Sequence, residues 1–223
     1  MRDCFAKSAR NDGIEDIFER RFGMLDYQTN LMKKPETLLR AACDLVRVNR
    51  AQGFAALNDL FRAGTVPDSS LEGHHAGELV VLDLAPGLTP FFQWITNKWM
   101  PWLGKTFDSS NQRGDNIFTK DSYVLARLFN PLYRRFINDT ATTYRGFAFR
   151  TYTAPGLFDT DRTVLKIDYN LKENPSLTVR RVLDELVQLD DHLYLGKAHV
   201  RWWWRPANAW QTVAFFTLVY QKS

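Results

Sequence analysis

Apolar positions along the chain follow two different periods, and the change between them falls near residue 66. Before it, Leu38, Leu39, Ala42, Leu45 and Val46 recur at helical spacing behind Pro35, a residue suited to a first helical turn. Phe54, Leu57, Leu60 and Phe61 then repeat every three or four residues until Ala63-Gly64 supplies a stop, with Gly53 weakening the join. The spacing predicts two amphipathic helices, arranged as a hairpin. Ile14, Ile17 and Phe18 predict a shorter one ending near Phe22-Gly23. The turn-forming run Thr65 to Ser70 marks the boundary, which divides the chain into an N-terminal helical segment, 1–66, and a strand-rich domain, 67–223.

After the boundary the apolar residues alternate. Strands are predicted over 78–83, 105–108, 116–119, 144–153, 164–169, 183–189, 193–204 and 211–221, with Asp190-Asp191 as a tight turn. Seven or eight short antiparallel strands leave exposed edges unless the sheet closes, so a β-barrel is the expected architecture. Two stretches, Thr89 to Trp99 and Ser122 to Phe136, are apolar and aromatic without clean alternation. They read as helical insertions whose apolar faces cover a barrel end or line its mouth. A lid that merely completes the core and a membrane-contacting patch are the other two readings. The fold class is therefore mainly β with N-terminal helices and helical insertions.

Composition narrows the partners. The 223 residues carry 29 Lys plus Arg against 25 Asp plus Glu, and a formal charge of +4 is too small an excess to make a nucleic-acid surface. Apolar residues at 45% exclude wholesale disorder. Cys4 and Cys43 fit no metal or disulfide pattern, so both are expected to be reduced and no metal site is expected. The N-terminus has no apolar signal-peptide core. The most apolar later run is broken by Pro86, Gly87 and Pro90 before it could span a bilayer, which points to a cytoplasmic protein with no stable membrane insertion.

The segment Leu71-Glu72-Gly73-His74-His75-Ala76-Gly77-Glu78, followed by Trp102-Leu103-Gly104-Lys105-Thr106-Phe107-Asp108, resembles the opening of lipocalin-like (calycin) domains of the GxWxG type. Tyr144-Arg145-Gly146, Leu183-Asp184-Glu185 and Leu193-Tyr194-Leu195-Gly196-Lys197 look like later strands of the same group, so the likeness spans about residues 71–221. Gly73 and Gly77 fit the motif, but His75 stands in the tryptophan's place. The resemblance implies a lipocalin-like antiparallel β-barrel, an internal cavity and, often, a small apolar ligand.

On that expectation the leading function is binding or carriage of a small hydrophobic molecule: a lipid, isoprenoid, pigment or haem-like compound. Tryptophans are the natural lining, with Trp94, Trp99 and Trp102 near one insertion and Trp202, Trp203, Trp204 and Trp210 on the terminal hairpin. The expected ligand-binding set is His75, Trp94, Trp102, Lys105, Arg150, Lys197, Arg201 and Trp203. His75 could be a single axial haem ligand, yet no second ligand or thiolate accompanies it, so no cofactor is expected.

The strand from Leu193 to Trp204 carries Lys197, His199, Arg201 and Trp203 on one face and Tyr194, Gly196, Ala198 and Trp202 on the other. The polar face looks either to solvent or into a wet cavity. In the second case a cofactor-independent isomerase or cyclase is the alternative function, with His199, Asp168 and Lys166 moving protons and Arg201 steadying negative charge. Lys166 and Asp168 share one face of their strand and could simply pair. No nucleophile elbow, phosphate loop or zinc-helix spacing is present. A third class is an interaction protein, a homodimer through the Leu38 and Phe54 stripes.

Overall fold

A computed structural model of the chain describes residues 34–67, 71–82, 102–202 and 209–220. The chain falls into two compact units, Met1–Ala63 and Gly64–Ser223. In the first, α1 (Pro35–Val48) and α2 (Arg50–Ala63) are joined at Asn49. Proline opens α1, and the Asn49 side chain accepts a hydrogen bond from the Gln52 amide at 3.2 Å, which caps α2. Gly53 does more than weaken the join, because a Cβ there would meet the Val46 backbone at 2.4 Å and the two helices could not approach. The helix expected near Ile14 lies outside the described residues.

The second unit is strand-built: β1 (Gly73–Leu82), β2 (Trp102–Asp108), β3 (Arg113–Thr119), a two-residue β4 (Ile137–Asn138), β5 (Thr143–Pro155), β6 (Thr163–Asp168), β7 (Val182–Asp190), β8 (Leu193–Arg201) and β9 (Trp210–Tyr220). All pairings are antiparallel. The sheet order is β3-β2-β1-β9-β8-β7-β6-β5-β4, and β5 also pairs with β3, which closes eight strands into an up-and-down barrel with β4 as a side bridge. This architecture is consistent with a lipocalin-like fold. The first strand begins five residues earlier than the alternation predicts, since Gly73 and Gly77 leave gaps in the apolar pattern without breaking the ladder.

The register identifies the inner face. Asp184 on β7 reaches Lys105 on β2, and these strands are not neighbours, so both side chains point into the barrel. Neighbours in register with them share that face: Ile167, Ala198 and Ala214 on one side, His75 and Asn116 on the other. Phe107, Phe149, Leu165, Leu186, Tyr194, Phe216 and Leu218 complete a buried interior. Three inward glycines make room for rings, because a Cβ on Gly77, Gly114 or Gly196 would stand 2.2–2.4 Å from Trp102, Phe149 or Phe216.

The two barrel ends differ. One carries the short turn after Asp108, the Asp191-His192 turn and the β5–β6 connection. The other carries the long connections 83–101, 120–142, 169–181 and 202–209. Of the insertions predicted from sequence, 89–99 lies outside the described residues, and 122–136 is helical only over α3 (Tyr123–Phe129). It covers part of the long-loop end. Ala126, Tyr133 and Phe136 pack with Phe118, Tyr144 and Phe147, and the Tyr133 hydroxyl accepts the Phe147 amide at 2.6 Å, a bond needed because Phe147 has φ +54°.

Candidate functional site

Three groups of polar side chains stand out. The first lies mid-barrel, where Lys105 is buried inside a cage of Trp102, Phe149, Tyr169 and Phe216, its Nζ 5.1–5.4 Å from each ring centroid. Its three protons are used. Nζ donates to Asn116 Oδ1 at 2.9 Å and to the Tyr169 hydroxyl, and it pairs with Asp184 Oδ2 at 3.0 Å. Trp102 Nε1 also donates to Asn116 Oδ1 at 3.1 Å, while Asn116 Nδ2 donates to the Phe147 carbonyl. Burial pushes the Lys105 ammonium down, opposed by Asp184. Burial together with Asp184 pushes the Tyr169 phenol well above its ordinary value. The cluster is a satisfied polar layer that ties β2, β3 and β7 together from within.

Towards the short-turn end, His75 is 1% exposed and packs edge-on against Phe107 and Tyr194 and tilted against Tyr220. Burial lowers its pKa, so the ring is neutral, with Nδ1 3.3 Å from the Gly73 carbonyl. The indole of this interior is Trp102, supplied by the adjacent strand and seated on Gly77.

The second group answers the question left open for β8. Tyr194, Gly196 and Ala198 face inward, so Lys197 and His199 face outward, yet both are buried rather than solvated or in a wet cavity. Glu185 of β7 stands between them and Lys166 of β6: its Oε1 accepts from Lys166 Nζ and, at 2.5 Å, from the Leu157 amide. His199 Nε2 lies 3.2 Å from Glu185 Oε2, an ion-pair distance off the line of a good hydrogen bond, and its Nδ1 is 3.1 Å from Thr212 Oγ1. Lys197 Nζ donates to Asp159 Oδ2 at 2.5 Å. Burial opposes the Glu185 charge, but His199 and Lys166 prevail and hold its pKa down to about 2.

The residues nominated from sequence for proton transfer are thus only partly assembled. His199 and Lys166 meet through Glu185. Asp168 shares their face but is engaged by Arg150, whose Nη2 and Nε lie 2.7 and 3.0 Å from Asp168 Oδ2. Lys166 and Asp168 do not pair with each other. Arg201 lies over the Trp210 ring at 5.7 Å. Trp94 and Trp203 lie outside the described residues. Sequence reasoning passed over Asn116, Tyr169, Asp184 and Glu185; the usable signal for Glu185 was its place between Leu183 and Val187 on an otherwise apolar face.

The third group lines an open groove of about 720 Å³ on the outer wall of β2, β3 and β5, where Glu72, Asp108, Asp115 and Glu173 stand with Arg113, Arg135 and Arg145. Burial raises the Asp115 carboxyl, with Arg145 and Arg113 opposing. Four carboxylates outnumber three arginines there, and Phe107, Ile137 and Ala148 supply only a scattered apolar lining, so the groove is mainly polar.

At the long-loop end the inner face changes character. Leu79, Val182, Ala198 and Val200 share the inward register there and are only partly buried, and with Trp202 most of them pack around the buried Leu82 and Ala214. Among the described residues no helix is long and apolar enough to cross a membrane, and no cluster of three or more His, Cys, Asp or Glu could hold a metal ion. Comparison of the chain with protein-family models, curated proteins and solved structures finds no match.

Proposed function

We propose that the protein is a lipocalin-like, calycin-type binding domain that holds one small, largely apolar molecule at the long-loop mouth of its barrel. The single observation that carries this reading is the half-buried apolar rim of Leu79, Val182, Ala198, Val200 and Trp202, set around buried Leu82 and Ala214 and above a sealed aromatic and polar layer. Apolar side chains facing inward yet wetted gain free energy when a ligand displaces that water, about 25 cal/mol per Å². The floor beneath them, Trp102 and the Lys105 cluster, supplies the few polar groups that orient a ligand. Small residues at Ala198 and Ala214 leave width at the rim. The mouth sits where all four long connections attach, the usual place for specificity to be added to a rigid barrel.

The test is native mass spectrometry of freshly purified full-length protein, followed by titration with anilinonaphthalene sulfonate read through tryptophan energy transfer. A retained organic mass, or saturable binding weakened about tenfold or more by Ala198→Leu with unchanged near-UV circular dichroism, supports the reading. A bare mass with no saturable response would sink it.

A second reading, acid-base catalysis, draws on the His199–Glu185 contact with Lys166 alongside. In this form Glu185 takes the orienting role first given to Asp168, and Phe158, edge-on to the His199 ring at 5.5 Å and 57% exposed, is the group that would have to move aside. Loss of turnover in His199→Gln, with binding retained, distinguishes the two.

A further inference from the structure

Helix α3 is apolar on both of its faces, and only one of them is packed. Ala126 is buried against the aromatic cap of the barrel, with Tyr123 beside it. Val124 and Leu128, four residues apart and therefore stacked on one side of the helix, are 75% and 70% exposed, and Leu132, just beyond the helix end, is 91% exposed. Isolated exposed leucines are ordinary, but two aliphatic side chains stacked on one side of a helix, with a third exposed in the turn that follows, form a surface that gains by being covered. Exposed Arg127 lies on the helix and exposed Arg134 just after it, with half-buried Lys120 at the start of the segment and Asp121 as the one acid between 120 and 136; Arg135 belongs to the acidic groove on the outer wall.

We propose that this ridge is a peripheral docking surface for an anionic phospholipid bilayer, the three aliphatic side chains entering the headgroup–acyl boundary while the arginines pair with lipid phosphates. Charge complementarity selects this occupant. In a symmetric dimer through the ridge, the arginines of one copy would face those of the other. Three aliphatic side chains also fall far short of the roughly 800 Å² per partner that a stable protein interface buries. A bilayer asks for neither symmetry nor area: a short apolar wedge with a basic rim is the composition that binds an anionic membrane surface without spanning it. The inference stands apart from the barrel's having a ligand, because it uses the outer ridge and not the mouth.

The experiment is co-sedimentation of the full chain with vesicles of phosphatidylcholine alone and of phosphatidylcholine containing about one third phosphatidylglycerol. Binding to the anionic vesicles is expected to exceed binding to the neutral ones. Leu128→Ser with Leu132→Ser should weaken it at least about tenfold, the loss expected from leaving leucines in water. Each of Arg127→Gln and Arg134→Gln should weaken it about fivefold, the share of one cation near such a surface. All these positions are exposed, so near-UV circular dichroism should stay unchanged. Absence of vesicle binding, binding indifferent to the leucine pair, or equal binding to neutral and anionic vesicles would each overturn the proposal. So would a concentration-dependent dimer, in light scattering, that Leu132→Ser abolishes and vesicles do not compete for.

Discussion

Lys105 and Asp184 meet across the barrel, Nζ to Oδ2 at 3.0 Å, from strands that have three others between them on either side of the closed sheet. Both side chains are almost wholly buried. Their attraction offsets the cost of taking two charges out of water only because Asn116, Tyr169 and four aromatic rings meet the remaining demands of the ammonium.

Replacing one partner alone should therefore be severe. Lys105→Met leaves the Asp184 carboxylate buried without its cation, and a loss of about 3–5 kcal/mol is expected in urea unfolding. Lys105→Met combined with Asp184→Asn should recover most of that loss. Strict additivity of the two would show that the residues do not act on each other.

Glu185 predicts an acid limb. Its folded pKa, held at about 2 against an ordinary 4.5, is depressed, so the stability it contributes is complete above pH 4.5 and is lost as the pH falls towards 2. The full difference amounts to roughly 3 kcal/mol at the usual 1.36 kcal/mol per pKa unit. Urea midpoints measured across that window should fall steeply for the native chain and flatten for Glu185→Gln. Parallel curves would show that the charge is not held by the fold.

His75 acts at higher pH and for the opposite reason. Its folded pKa lies below the ordinary 6.5, so below that point the unfolded chain takes up a proton that the buried ring does not, and stability falls as the pH drops. His75→Phe keeps the ring among Phe107, Tyr194 and Tyr220 and should abolish this component while changing stability at pH 8 by less than about 1.5 kcal/mol. A pH dependence between 5 and 7 that survives the substitution would place its source elsewhere.

Gly196 tests the ring-on-glycine packing of the interior. A Cβ there would stand 2.2 Å from Phe216 Cζ, so Gly196→Ala should cost about 1–3 kcal/mol by overpacking. Pairing it with Phe216→Leu, which withdraws the ring, should restore a good part. If the alanine variant is as stable as the native protein, the core is looser than the structure has it.

The strands were legible because alternation is a local property. The runs at 183–189 and 193–204 anticipated β7 and β8 to within a few residues; β8 ends at Arg201, and the last two positions of the second run lie outside the described residues. The inward face was not legible. On β8 one face is polar with leucines and the other small with aromatics, so period two separates two sets without saying which is inside. Residues 197 and 199 then turned out to be buried on the outer wall, a state in which a charge is tolerated only beside a partner, here Asp159 and Glu185.

The sequence alone determined the change of period near residue 66, the helices after Pro35 and an antiparallel sheet that has to close, since each follows from neighbours a few positions apart. Tertiary structure alone decided that Lys105 would find Asp184, that His199 would find Glu185 rather than Asp168, and that one barrel end would gather the long connections. The first pairing joins residues 79 positions apart across the closed barrel and the second joins residues 14 apart across the β7–β8 hairpin, and which side chains meet depends on closure in one case and strand register in the other, neither of which period-two alternation encodes.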